Sequence, residues 1–203
     1  MTLWRAEIDA IRSRSKTKQN SKNLIAFYGS SSLRLWSNME KDLAPHHVLN
    51  LGFGGSTYRT CNYFFEKAFE FVAPSEIVLY AGDNDLGLGG NIDDILLHFN
   101  ALIHKIVKKY PAVHLSVISI KPSPNRLYLI KEINTLNTHF IAMIKELKRS
   151  SYIDIHSKML HEDGSLRPEL YLEDELHLNL KGYEIWKHVL KQHLDYQKYS
   201  WNN

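Results

Sequence analysis

What this chain lacks narrows it first. It holds one cysteine, Cys61, so no intrachain disulfide can form. The fold must stand on packing. With 203 residues it can, because a domain of this length buries roughly 70% of its unfolded surface. No stretch approaches the roughly 20 consecutive apolar residues that a membrane span needs. The opening residues, Met1-Thr2-Leu3-Trp4-Arg5-Ala6-Glu7, carry charges where a signal peptide would place an apolar core. Charge of one sign is missing too. Twenty-five Lys and Arg stand against 22 Asp and Glu, and a net of +3 is too small to imply a nucleic-acid partner. The one basic run, Arg12-Ser13-Arg14-Ser15-Lys16-Thr17-Lys18, reads as a solvated face or a loop. There is no internal repeat, low-complexity tract or linker. The expectation is a single cytoplasmic domain, in which residues 1–22 form an N-terminal helical extension ahead of residues 23–203. The aromatic tail, with Tyr196, Tyr199 and Trp201, can pack on the domain or on a second copy, which leaves a homo-oligomer open.

What is present is an alternation. Five short apolar runs lack a strict two-residue period: Leu24–Tyr28, His47–Leu51, Glu76–Ala81, His114–Ile120 and Tyr152–Ile155. Runs of this kind suit strands buried on both faces, as in a parallel sheet. Between them lie helical patterns. One places Ile92, Ile95, Leu96, Phe99, Leu102, Ile103, Ile106, Val107 and Tyr110 on one side, with Asn91 or Asp93 as its cap and Pro111 as its stop. Others run through Cys61–Val72, Ile130–Leu147 and onward from Asn179, and residues 2–19 make one more. Strand–helix alternation predicts a three-layer α/β/α sandwich around a mostly parallel five-stranded sheet. In such sheets ligands bind beyond the carboxyl ends of the strands.

Three unusual segments fall at those ends. Gly29-Ser30-Ser31-Ser32 follows the first strand, where a serine either caps a helix or serves as a nucleophile. Gly52-Phe53-Gly54-Gly55-Ser56-Thr57 follows the second. It lacks the third glycine of a dinucleotide fingerprint and the Gly-Lys-Ser/Thr of a P-loop, but its free N–H groups can serve an anion. Tyr80-Ala81-Gly82-Asp83-Asn84-Asp85 follows the third. Its asparagine can donate to an oxyanion, and it lacks the ligand spacing of a calcium loop. Asp85 reads as a buried carboxylate that ties the loop to backbone N–H groups. Near the other end, Asp174-Glu175-Leu176-His177 opens the last helical segment, so one helical turn would bring carboxylate and imidazole together. The remaining histidines, among them His46, His47, His98, His104, His114 and His161, show no metal-ligand spacing, and no metal is expected.

Together these segments resemble the SGNH (GDSL-type) hydrolase family of esterases and lipases. That family carries four blocks in order. Here Gly29-Ser30-Ser31 stands for its Gly-Asp-Ser, Gly55 for its second-block glycine, Gly82-Asp83-Asn84-Asp85 for Gly-x-Asn-Asp, and Asp174-Glu175-Leu176-His177 for Asp-x-x-His. The likeness spans about residues 23–195. It implies the flavodoxin-like fold of the family, with Ser31 as nucleophile, His177 as general base and Asp174 as the acid that orients it. The oxyanion hole would be the N–H of Ser31, the N–H of Gly55 and the side-chain amide of Asn84. Ser30 replaces the usual Asp, and the Gly-Ser-Ser-Ser form followed by Leu33-Arg34-Leu35-Trp36 looks like a variant subgroup. Ser32 is then free to cap the helix. The implied partner is a small-molecule ester with a short acyl or acetyl group, on a carbohydrate for example, and no cofactor is called for. The alternative is a non-catalytic ligand-binding protein that keeps the fold. A nucleotide-binding α/β protein, resting on Gly52–Gly55, is a further alternative.

Overall fold

The computed structural model describes residues 4–200, with side chains to Gln197. The expected starts of a helix at Thr2 and Leu3, and the tail aromatics Tyr199 and Trp201, lie outside what can be described of side chains or backbone there. The elements are α1 (Arg5–Thr17), β1 (Ile25–Gly29), α2 (Ser31–Arg34), α3 (Met39–Asp42), β2 (Val48–Gly52), α4 (Tyr58–Ala68), β3 (Glu76–Tyr80), α5 (Asp83–Gly87), α6 (Ile92–Lys109), β4 (His114–Ile118), α7 (Ile130–Lys145), β5 (Ser150–Ile153) and α8 (Leu180–Ser200). All four strand pairings are parallel, and the order is β2-β1-β3-β4-β5. β1 therefore sits between β2 and β3, with Gly29 level with Gly52 on one side and Tyr80 on the other.

Every residue of β1, β3 and β4 is buried, which is why these strands read as unbroken apolar runs. Alternate side chains feed two cores. Ala26, Tyr28, Ile77, Leu79, Leu115 and Val117 face α1, α4, α6 and α7. Ile25, Phe27, Val78, Tyr80 and Ile118 face Trp36, Trp186 and Leu190, the last two from α8. The first core is aromatic: Phe99 meets Phe140 at 4.3 Å and Tyr58 at 5.0 Å between ring centroids. Truncating Phe99, which is fully buried, would cost about 3–5 kcal/mol.

Local signals set the helix starts. Asn91 accepts from the Asp94 N–H at 2.9 Å and caps α6. At α4, Thr57 and Thr60 each accept from the other's backbone N–H, a reciprocal cap. The basic run lies on α1, where Arg12 pairs with Glu70 while Ile8 and Ile11 enter the core. α4 stops at Ala68, short of the expected Val72, yet Phe69 and Val72 stay buried beneath Tyr110, whose hydroxyl donates to both their carbonyls. Tyr196 is exposed. Among the described residues no helix is long and apolar enough to cross a membrane.

Candidate active site

The site is assembled at the carboxyl ends of three adjacent strands. Gly29 closes β1 at φ 146°, where a Cβ would lie 1.8 Å from the Tyr80 carbonyl oxygen, so only glycine lets β1 and β3 run this close. The Ser30 N–H then donates to that same Tyr80 carbonyl at 2.9 Å. Ser31 opens α2 as its first residue, so its own N–H has no intrahelical acceptor. Ser32 does not cap the helix, as its sequence position suggested. Ser30 is the capping residue, without a side-chain bond, and Ser32 is buried inside the turn with its carbonyl accepting from the Tyr183 hydroxyl at 2.9 Å. Asn50 on β2 pins this turn by donating to the Leu33 carbonyl at 2.6 Å.

Two bonds join the turns after β2 and β3. Asn84 Nδ2 donates to the Ser56 carbonyl at 3.0 Å, which leaves one amide hydrogen for another acceptor. The Tyr58 N–H donates to Asp85, 3.0 and 3.2 Å from its two oxygens, as the sequence reading of Asp85 expected. Burial pushes the Asp85 carboxyl up to about 7 against that hydrogen bond. Gly55, next to Ser56, holds φ 62°.

The Asp174–His177 pair lies in a turn, not in the first turn of a helix; α8 begins only at Leu180. Tyr171 bridges Leu178 in antiparallel fashion, and Leu172 N–H donates to the His177 carbonyl at 2.8 Å. The loop turns at Glu175, φ 57°. Spacing of three residues serves a turn as well as a helix. His177 Nδ1 lies 2.6 Å from Asp174 Oδ2, and His177 Nε2 lies 3.0 Å from Ser31 Oγ. Burial pushes the Asp174 carboxyl up, but bonds from the His177 ring and from the His177 and Leu176 N–H groups outweigh it and bring it down to about 2. An ionised carboxylate only accepts, so Nδ1 carries the proton and Nε2 offers its lone pair to the Ser31 hydroxyl. The His177 side chain is 26% exposed, and that of Asp174 48%.

A family model for the GDSL-like Lipase/Acylhydrolase family matches residues 24–185. The chain belongs to that family. This makes it an ester hydrolase of the serine type. No curated protein matches it. Among solved structures, this GDSL-like hydrolase is similar to a GDSL-like lipase from Bacteroides thetaiotaomicron, with 20% identity, 97% of each chain covered and a TM-score of 0.73. It is also similar to a lipase/acylhydrolase from Enterococcus faecalis, with 19% identity, 86% and 96% covered and a TM-score of 0.70. A carbohydrate esterase family 3 protein from Talaromyces cellulolyticus follows at 14% identity, 86% and 97% covered and a TM-score of 0.69. At these identities the likeness concerns the fold.

Sequence reasoning missed two features of the hydrolase. One is Lys121, buried behind the site. Its signal would have been a lone lysine between the apolar run 115–120 and Pro122, at the strand end where sites form. The other lies at the amino edge of the sheet, where ligating atoms of Glu76, His114 and His193 come within 4.8 Å of one another although their spacing suggested nothing. There Glu76 Oε1 accepts from Ser116 Oγ at 2.5 Å and lies 3.2 Å from His193 Nε2. His114 Nε2 lies 2.8 Å from Ser151 Oγ.

Proposed function

We propose that Ser31, His177 and Asp174 form a catalytic triad that hydrolyses small carboxylic esters through a covalent acyl-enzyme. The observation that carries this reading is the imidazole of His177, which meets Ser31 and Asp174 through opposite ring nitrogens. As Ser31 Oγ bonds to the ester carbon, its proton passes to His177 Nε2 and the carbonyl electron pair moves onto oxygen. That oxyanion is received by the N–H groups of Ser31 and Gly55 and by the remaining Asn84 amide hydrogen. Collapse breaks the bond to the leaving alcohol, which takes the proton from His177. Water then attacks the acyl group by the same steps in reverse roles, releasing the acid and restoring Ser31.

The partly exposed acid and base favour short acyl groups, acetyl among them, including acetyl carried by a sugar. The carbohydrate esterase that shares this fold is in keeping with that preference. Nitrophenyl esters of increasing chain length, assayed beside acetylated sugars, test it: kcat/KM should fall as the chain lengthens, and a maximum at long chains would reject it. Fluorophosphonate labelling of Ser31 tests the nucleophile. Tight sugar or lipid binding without labelling would mark a binding protein instead.

A further inference from the structure

Beyond the end of β4 stands a lysine with no part in that chemistry. Lys121 is 1% exposed. Its Nζ lies 3.4 Å from Asp83 Oδ2 and 5.5 Å from the centre of the Tyr171 ring. Asp83 immediately precedes Asn84. Tyr171 begins the loop that bears Asp174 and His177, and its hydroxyl donates to the carbonyl of Pro122, the neighbour of Lys121. One buried cation therefore touches both the asparagine segment and the acid–base loop.

Stability does not account for it. Taking an ammonium and a carboxylate out of water costs several kcal/mol each, and an apolar pair of the same volume often serves a core as well or better. Burial pushes the Lys121 ammonium toward its neutral form, with Asp83 opposing. Geometry gives it a purpose, and its neighbours repeat the pattern. Arg126 Nε lies 3.5 Å from Asp83 Oδ1. The Asn125 N–H donates to the Glu175 carbonyl at 3.0 Å, and its side-chain amide donates to the Asp174 carbonyl at 3.4 Å. The segment from Lys121 to Arg126 thus meets Asp83 of the asparagine turn through both its ends, and the acid–base loop through Pro122 and Asn125.

We infer that Lys121 is a positioning residue that, through Asp83 and Tyr171, sets the distance between the oxyanion donor Asn84 and the base His177. This rests on the triad reading above. Lys121 reaches no substrate, so its loss acts on kcat and not on KM. Displacements of about 1 Å at such groups cost up to about 10²-fold.

The test compares wild type, Lys121→Met and the double variant Lys121→Met/Asp83→Asn, which leaves neither partner charged. With nitrophenyl acetate, kcat should fall about 10- to 100-fold in both variants at unchanged KM. The double variant should regain part of the thermal stability that the single one loses, because Arg126 then lacks its carboxylate partner. Backbone amide exchange over residues 172–178 should quicken in both. A double variant with wild-type stability and wild-type kcat would overturn the inference, as would a loss confined to KM or unchanged exchange. Wild-type protein that resists fluorophosphonate at Ser31 would sink the triad reading alone; exchange over 172–178 would still decide whether Lys121 couples the loops.

Discussion

Two groups of serine, histidine and carboxylate lie at opposite edges of one sheet, and only one of them has the form of a triad. At the carboxyl edge, Ser31 and Asp174 meet His177 through Nε2 and Nδ1. At the amino edge, Ser116 lies 3.0 Å and Glu76 3.2 Å from His193, but both face the same nitrogen, Nε2. Ser116 moreover spends its proton on Glu76. An imidazole relays a proton only if one nitrogen accepts while the other is held by a partner. Access differs as well: Ser116 is fully buried, whereas His177 is a quarter exposed. Residue types and short distances are shared by both edges. What separates them is which atom faces which, together with a path for substrate.

Mutations should break this comparison cleanly. The largest effect is expected from Ser31→Ala, which should lower kcat by about 10⁵-fold or more. Ser116→Ala should leave kcat unchanged. Equal losses in the two, measured on nitrophenyl acetate, would erase the distinction. Next comes Asp174→Asn, expected to lower kcat about 10⁴-fold because Nδ1–H loses its ionised acceptor; a loss under tenfold would show that His177 is oriented by other groups. Asn84→Ala removes one oxyanion donor and should lower kcat about 10²–10³-fold. An unchanged kcat would make Asn84 only the tie to Ser56.

Smaller effects report on stability. His193→Ala strips a partner from Glu76, which is 1% exposed, and should cost about 2–4 kcal/mol in urea unfolding while kcat stays put. A drop in kcat without a drop in stability would place His193 in the chemistry. The smallest is a pH effect. The folded Asp174 carboxyl sits near 2, below its unfolded value, so its contribution is present above about pH 4 and vanishes as pH falls through 2. Its exposure to solvent keeps that contribution small. Thermal unfolding of Asp174→Asn should show a flatter acid limb than wild type between pH 4 and 2, and an unaltered limb would contradict the assignment.

The long elements were legible because burial on both faces writes itself as an apolar run, and a packed helix face as a repeat. The sheet, its parallel sense and α6 all followed from such patterns, while the choice of Asn91 over Asp93 as cap came only with the structure. Helices of four or five residues, such as α3 and α5, are too short to show a period, and neither was expected; the helix expected after β1 does form, but it starts at Ser31. Of the candidate site, the meeting of Ser31, Asp174 and His177 was legible from two of its four blocks. Its local form was not. The acid–base pair was read as helical because Glu175 carries no mark of its left-handed backbone. Lys121 stayed invisible because a lysine is ordinarily solvated, and only the three-dimensional fold brings Asp83 and Tyr171 around it.

The separation of Ser31 and His177 by 146 positions has one more consequence. All five strands are laid down between the two residues or flank the first, so the serine acquires its partner only when the last quarter of the chain has docked. Before that moment it is an ordinary hydroxyl. On the triad reading, reactivity toward an ester reports that the acid–base loop has docked, and a chain ending before residue 177 would lack its base.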